Sequence, residues 1–149
     1  MNPVVLIRIF IGFIFVVSST EKLLSHYQNF LYVIQAYDIV PAPLDEWGAR
    51  VFPWLELMLG VFTILGLWTI WVLRGLLIST AVFLFVVGQA VLRNLPIEKC
   101  GCFGELVSIP LPIVLLMDSI LWICIAYLII RMERASRCSL DEYFSKKIK

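Results

Sequence analysis

The sequence predicts an all-α integral membrane protein: a four-transmembrane-helix bundle with a short amphipathic interfacial helix in the first extracytoplasmic loop. Three observations carry this prediction. Of 149 residues, 61% are hydrophobic and only 15% are charged, with a mean hydropathy of +0.94. A soluble domain of this size has too little interior to hide so much apolar side chain. Four apolar stretches, 3–24, 51–70, 71–92 and 109–130, come close to the ~20 residues that a helix needs to cross ~30 Å of hydrocarbon. Between the first two lies a shorter segment whose apolar residues recur at helical spacing.

The first stretch contains Arg8, and no A-x-A cleavage site follows "SST" at 18–20, so a retained helix is expected rather than a cleaved signal. In the loop after it, Tyr27, Phe30, Leu31, Ile34 and Tyr37 fall on one helical face and Gln28, Asn29, Gln35 and Asp38 on the other. Pro41 and Pro43 end that helix. A helix so patterned lies in the membrane interface, either as a lid packed on the bundle or as a docking flap. The second and third stretches nearly merge. Gly66, Trp68, Trp71 and Arg74 mark a tight turn between them at an interface, where Trp is favoured. Gly75 and Ser79 form a small-residue pair on the third helix that allows close helix approach. The mixed-charge segment after Arg131 reads as a short helix or frayed end, giving a membrane domain over 1–131 and a cytoplasmic tail over 132–149. No internal repeat is present.

Four crossings place both termini on one side. That side carries Arg8, Arg74, Arg131, Arg134, Arg137, Lys146, Lys147 and Lys149, against Lys22, Arg50, Arg93 and Lys99 on the other. The positive-inside bias therefore places both termini in the cytoplasm, in a multi-pass protein of the cytoplasmic (inner) membrane. The loops 22–50 and 93–108 then face outward. No basic patch with interleaved aromatics is present, so membrane lipid is an expected partner and nucleic acid is not.

Ionisable residues inside a membrane span are costly and usually face the bundle interior. Glu21, Lys22, Glu56, Gln89, Arg93 and Asp118 all fall in the outward half of their spans, whereas the inward halves are almost wholly apolar apart from Arg8. Glu56 with Arg93 or Lys22, and Asp118 with another of these cations, could equally be structural ion pairs that set helix register.

Four cysteines remain to be placed. Cys138 falls on the opposite side from the loops, and Cys124 lies about 20 Å along the last span from Pro110 by helical rise. Cys124 therefore reads as a small buried hydrophobe. Cys100 and Cys102, within "EKCGCFGEL", lie on the side where disulfides persist. Residues at i and i+2 are at the upper end of disulfide reach, and the central Gly101 lets the backbone fold enough to close the pair. A small, strained, exposed disulfide is easily reduced, which suits catalysis better than stapling. Arg93 and Lys99 would favour the reactive thiolate. Two other readings stay open. Two thiolates suit a soft ion such as Cu(I), although structural zinc would need four ligands, or the thiols are incidental.

"GFIFVVSSTEKL", "AYDIVP", "FPWLELMLG", "KCGCFGEL" and Asp118 within "LLMDSILWICIAY" resemble the MauE/DoxX-like family of four-helix membrane proteins, over about residues 9–130. CGCFG is the most specific element. The resemblance implies the methylamine-utilisation MauE type, associated with maturation of a disulfide-rich periplasmic partner and with thiol–disulfide chemistry; the DoxX name is attached to quinone-linked subunits. The matching positions are Glu21, Lys22, Pro53, Glu56, Cys100, Gly101, Cys102, Phe103, Gly104 and Asp118.

The leading expectation is a membrane thiol–disulfide oxidoreductase. Cys100 or Cys102 would exchange with an extracytoplasmic thiol or disulfide protein, thioredoxin-like or disulfide-rich, through a mixed disulfide. Arg93 would tune the thiolate, and Glu56 or Asp118 would relay protons. Glu21, Lys22 and Gln89 are the candidate cofactor contacts. A quinone is the candidate electron carrier, although no motif demands one. The alternatives are a non-enzymatic accessory or assembly subunit and a copper-binding protein.

Overall fold

A computed structural model describes residues 3–37, 41–93, 110–135 and 140. These form six helices: α1 (Pro3–Leu24), α2 (Tyr27–Ala36), α3 (Leu44–Leu65), α4 (Thr69–Leu92), α5 (Leu111–Ile130) and the single turn α6 (Met132–Ala135). No strand occurs among the described residues. α1, α3, α4 and α5 are long and apolar enough to cross a bilayer, so the chain is a multi-pass membrane protein. They pack in the cyclic order α1–α3–α4–α5, and α2 lies against α3 with a lighter contact on α1. α1 begins and α5 ends at the same end of the bundle, the terminal end; α2 occupies the opposite, loop end.

The amphipathic helix and the first, third and fourth spans fall close to where the hydropathy and periodicity put them. The second span differs. It begins at Leu44 rather than 51 and ends at Leu65 rather than 70. Its first two turns carry Asp45, Glu46 and Arg50, which break the apolar run but suit a helix start, where acidic side chains meet the exposed N–H groups. At the other end Gly66 takes the left-handed conformation (φ 67°) and donates its N–H to the Phe62 carbonyl at 2.8 Å. Glycine adopts that conformation without a Cβ penalty, so the helix stops there. Trp68 and Trp71 are exposed beside this turn, with the Arg74 guanidinium 5.4 Å from the Trp71 ring, as expected of an interfacial belt.

α1 and α3 turn many of their polar and small residues inward, on α1 beside Val4, Val5, Ile11 and Phe15, and turn many large apolar residues outward. On α1 the buried set includes Arg8, Gly12, Phe15, Ser19 and Lys22, recurring every three or four residues. On α3 it is Asp45, Ala49, Pro53, Glu56, Gly60 and Thr63. Phe10, Phe13, Trp54, Met58, Ile78, Phe85, Leu116 and Ile123 face outward. In water such a surface would drive association; in a bilayer it is simply solvated. Buried and half-buried hydroxyls bond back to their own helices, Thr63 to the Leu59 carbonyl at 2.7 Å and Ser119 to that of Leu115 at 2.7 Å. That matters in hydrocarbon, where an unmet polar group finds no water.

α1 and α3 make the closest crossing, at Gly12 and Gly60. A Cβ at Gly12 would stand 2.7 Å from Ile64 Cγ1 and 2.9 Å from the Gly60 carbonyl oxygen. One at Gly60 would stand 3.0 Å from the Val16 backbone nitrogen. Without lipid exclusion to drive helices together, such backbone proximity supplies much of the association. Gly75, part of the small pair expected on α4, faces Leu59 of α3.

Two apolar clusters fill the bundle. One, toward the terminal end, includes Ile11, Phe15, Leu73, Leu76, Ile125 and Leu128, with Cys124 packed against it. Cys124 thus packs as a small hydrophobe, half-buried rather than buried as expected. Below it, the buried Arg8 guanidinium donates to the Ala135 carbonyl at 2.6 Å. The other, at the loop end, joins Tyr37, Val87, Ala90, Leu111 and Val114. Between the two lies a polar layer.

Candidate functional site

Each spanning helix contributes to that layer at helical spacing. α1 supplies Ser18 and Lys22, α3 Glu56, α4 Ser79, Thr80 and Phe83, and α5 Asp118 and Leu121, around a cavity of about 50 Å³. The Lys22 Nζ and Glu56 Oε2 are 2.7 Å apart, with side chains 2% and 8% exposed. Of the two cations expected to pair with Glu56, the structure selects Lys22. Its ammonium also lies 5.3 Å from the Phe30 ring and 5.8 Å from those of Phe52 and Phe83. Ring faces attract a cation within about 6 Å, and more so when water is excluded. α2 thus closes over the ion pair through Phe30.

Asp118 lines the same cavity, with its Oδ2 buried and without a hydrogen-bond partner among the described residues. Thr80 Oγ1 donates to the Leu76 carbonyl at 2.8 Å, so its oxygen is left to accept. Formally the layer holds one cation and two carboxyl groups. Burial of charge on this scale is tolerated only with close pairing or with a proton in reserve.

Phe83 is also a wall of a second, apolar groove of about 190 Å³, shared with Phe30, Val33, Tyr37, Phe52 and Val86. Its rim is polar at Asp45, which is 3% exposed and accepts a bond from Gln35 Nε2 at 2.7 Å. This bond ties α2 to the start of α3. Burial and, secondarily, the Asp118 charge push the Tyr37 phenol up to about 12, so it stays protonated well beyond the usual range.

Of the residues singled out in the sequence, Lys22, Glu56 and Asp118 come together. Glu21 is half-buried one residue from Lys22 but lines neither cavity, and Gln89 is half-buried a turn and a half beyond Phe83. Arg93 caps the end of α4, exposed. Cys100, Cys102, Lys99 and Cys138 lie outside the described residues. The residues that flank the cysteine segment, Arg93 and Pro110, both stand at the loop end, where Ala90 and Leu111 share a cluster. The sequence reading did not identify Asp45, Ser18, Thr80 or the ring cage of Phe30, Phe52 and Phe83, and it took Ser79 only as a small residue. Ser18 carried a signal, since it lies one turn before Lys22 on the same helical face.

A family model described as "Methylamine utilisation protein MauE" matches residues 2–131. No curated protein matches the chain, and no solved structure does.

Proposed function

The chain belongs to the MauE family, and on that premise we propose that it is a thiol–disulfide redox protein of the cytoplasmic membrane that works through Cys100 and Cys102. The observation that carries this reading is the polar layer itself. A buried Lys22–Glu56 pair and Asp118 stand under α2, at the end of the bundle from which the cysteine segment leaves and to which it returns. Closure of two thiols to a disulfide releases two electrons and two protons, and reduction takes up the same. A site serving that chemistry inside hydrocarbon needs groups able to move protons, and Glu56 and Asp118 are the candidates.

Exchange would occur with an extracytoplasmic thiol or disulfide protein, through a mixed disulfide between one cysteine and the partner. Both termini then lie in the cytoplasm. Arg93, exposed at the end of α4, would favour thiolate in the following segment. The apolar groove fits the ring of a lipid-soluble quinone: its volume of about 190 Å³ exceeds the roughly 150 Å³ in which an engineered protein cavity holds benzene. Phe30, Phe52 and Phe83 would hold such a ring, with Tyr37 as hydrogen-bond donor. When bound, a quinone would supply two-electron, two-proton oxidising capacity.

A redox titration of Cys100 and Cys102, followed by thiol alkylation, tests the proposal. The pair should pass from dithiol to disulfide within the range of extracytoplasmic redox couples. A pair that stays fully oxidised throughout removes the catalytic role. It would favour the second reading, an accessory or assembly subunit in which Lys22–Glu56 and Gln35–Asp45 only fix the helices. Copper that co-purifies and is lost in Cys100→Ser would favour a soft-metal protein instead.

A further inference from the structure

We propose that the three ionisable groups of the buried layer divide their labour. Asp118 is the proton-exchanging group, Lys22–Glu56 is a fixed counter-ion pair, and the cavity between them is the chamber through which the proton passes. The proposal deepens the redox reading and rests on it only for the use to which the proton is put.

Glu56 is committed. Its Oε2 is 2.7 Å from Lys22 Nζ, and the lysine is held from three further sides by Phe30, Phe52 and Phe83. To exchange a proton, Glu56 would have to give up its charge-assisted contact with a buried ammonium. Breaking a buried pair in this way is strongly unfavourable. Asp118 is not so held. Its Oδ2 is buried and has no hydrogen-bond partner among the described residues, and the residue lines the same cavity.

α1 presents the Lys22 ammonium, α3 the Glu56 carboxylate, α2 the Tyr37 phenol, and α4 only the hydroxyls of Ser79 and Thr80. Tyr37 remains protonated at any physiological pH and so does not compete. The cavity, about 50 Å³, exceeds the roughly 10–15 Å³ that one water requires, and its walls offer the several polar partners that a buried water needs. The step is a simple transfer: the carboxyl O–H of Asp118 breaks as an O–H bond to a cavity water forms, that water releases one of its own protons out of the cavity, and the reverse sequence reloads the carboxylate. The ion pair keeps its charges throughout.

Infrared difference spectroscopy of the full chain in phosphatidylcholine vesicles, recorded as a function of pH, tests the proposal. The wild type should show a titrating C=O stretch of a buried carboxylic acid, which shifts in D2O. Asp118→Asn should lose that band, Asp118→Glu should restore it at a shifted frequency, and the double variant Lys22→Met/Glu56→Leu, which removes the ion pair whole, should retain it. A band that persists in Asp118→Asn, or that vanishes in Lys22→Met/Glu56→Leu, overturns the assignment. So does a wild type with no titrating buried carboxyl. If Asp118→Asn does not fold, the frequency shift in Asp118→Glu decides. A Cys100→Ser/Cys102→Ser chain should keep the band, so failure of the redox reading and failure of this one are read separately.

Discussion

Lys22 and Glu56 show what a single ion pair does in hydrocarbon. Neither charge is tolerable alone at 2% and 8% exposure; together, and with rings on three sides of the ammonium, they fix the loop end of α1 against α3. Glu56→Gln should destabilise the bundle by on the order of 3–5 kcal/mol, because it leaves Lys22 buried without a counter-charge. The double variant Lys22→Met/Glu56→Leu should recover most of that loss, since it removes both charges. Thermal unfolding in detergent, scored as a double-mutant cycle, checks the pair. Tyr37 makes a second prediction at this scale. Its phenol is pushed from 10.0 up to about 12, so between those values the unfolded chain ionises while the folded one does not, and stability must fall as pH rises through that window. Ultraviolet titration should find a tyrosine component that ionises late, and Tyr37→Phe should abolish it. Lys22 and Glu56 were legible in the sequence as costly charges at shared depth. Their ring cage was not, because Phe30, Phe52 and Phe83 come from three helices, and nothing in sequence order shows that they meet.

The helices follow rules of the membrane interior rather than of a soluble core. The inward stripe of α3 is small and polar and that of α1 mixes such residues with Val4, Val5, Ile11 and Phe15, and hydropathy windows average across those faces. Apolar length therefore found the spans, while the register of their packing had to come from the structure. The start of α3 at Leu44 was hidden because Asp45, Glu46 and Arg50 look like loop to a hydropathy window. In the fold they form the turns that meet α2, through Gln35 and the 5.1 Å approach of Arg50 to the Tyr27 ring. The tightest crossing, Gly12 on Gly60, was likewise missed in favour of Gly75 and Ser79, since glycine is frequent in membrane helices and only a partner reveals which one is in contact. Gly12→Ala should therefore cost about 1–3 kcal/mol by overpacking against Ile64 and the Gly60 carbonyl. Gly48→Ala, with nothing within 4 Å of its Cβ, should leave stability unchanged or raise it by roughly 0.5–1 kcal/mol, the helix cost of glycine. Parallel melting curves of the two variants distinguish a specific contact from a general effect of losing glycine.

For the whole molecule, two apolar clusters enclose a polar layer toward the loop end, and a short helix covers it. The bundle, its interfacial helix and the membership of the MauE family were all legible from apolar runs, a five-residue amphipathic stripe and the quoted motifs. What was legible of the site was its depth: Lys22, Glu56 and Asp118 do converge, while Glu21, Gln89 and Arg93 share that half of the membrane without entering the cavity. Depth along a helix can be counted from sequence at 1.5 Å per residue, but the face that a residue presents depends on how its neighbours turn. The central claim is that Cys100 and Cys102 exchange with a protein outside the membrane, and trapping tests it most directly. In cells carrying Cys102→Ser, Cys100 should accumulate a mixed disulfide with one defined extracytoplasmic protein, reversed by reductant and absent from Cys100→Ser/Cys102→Ser; the reciprocal variant should show which thiol is attacked first. If neither single variant captures a partner while the host pathway continues to work, the claim is contradicted.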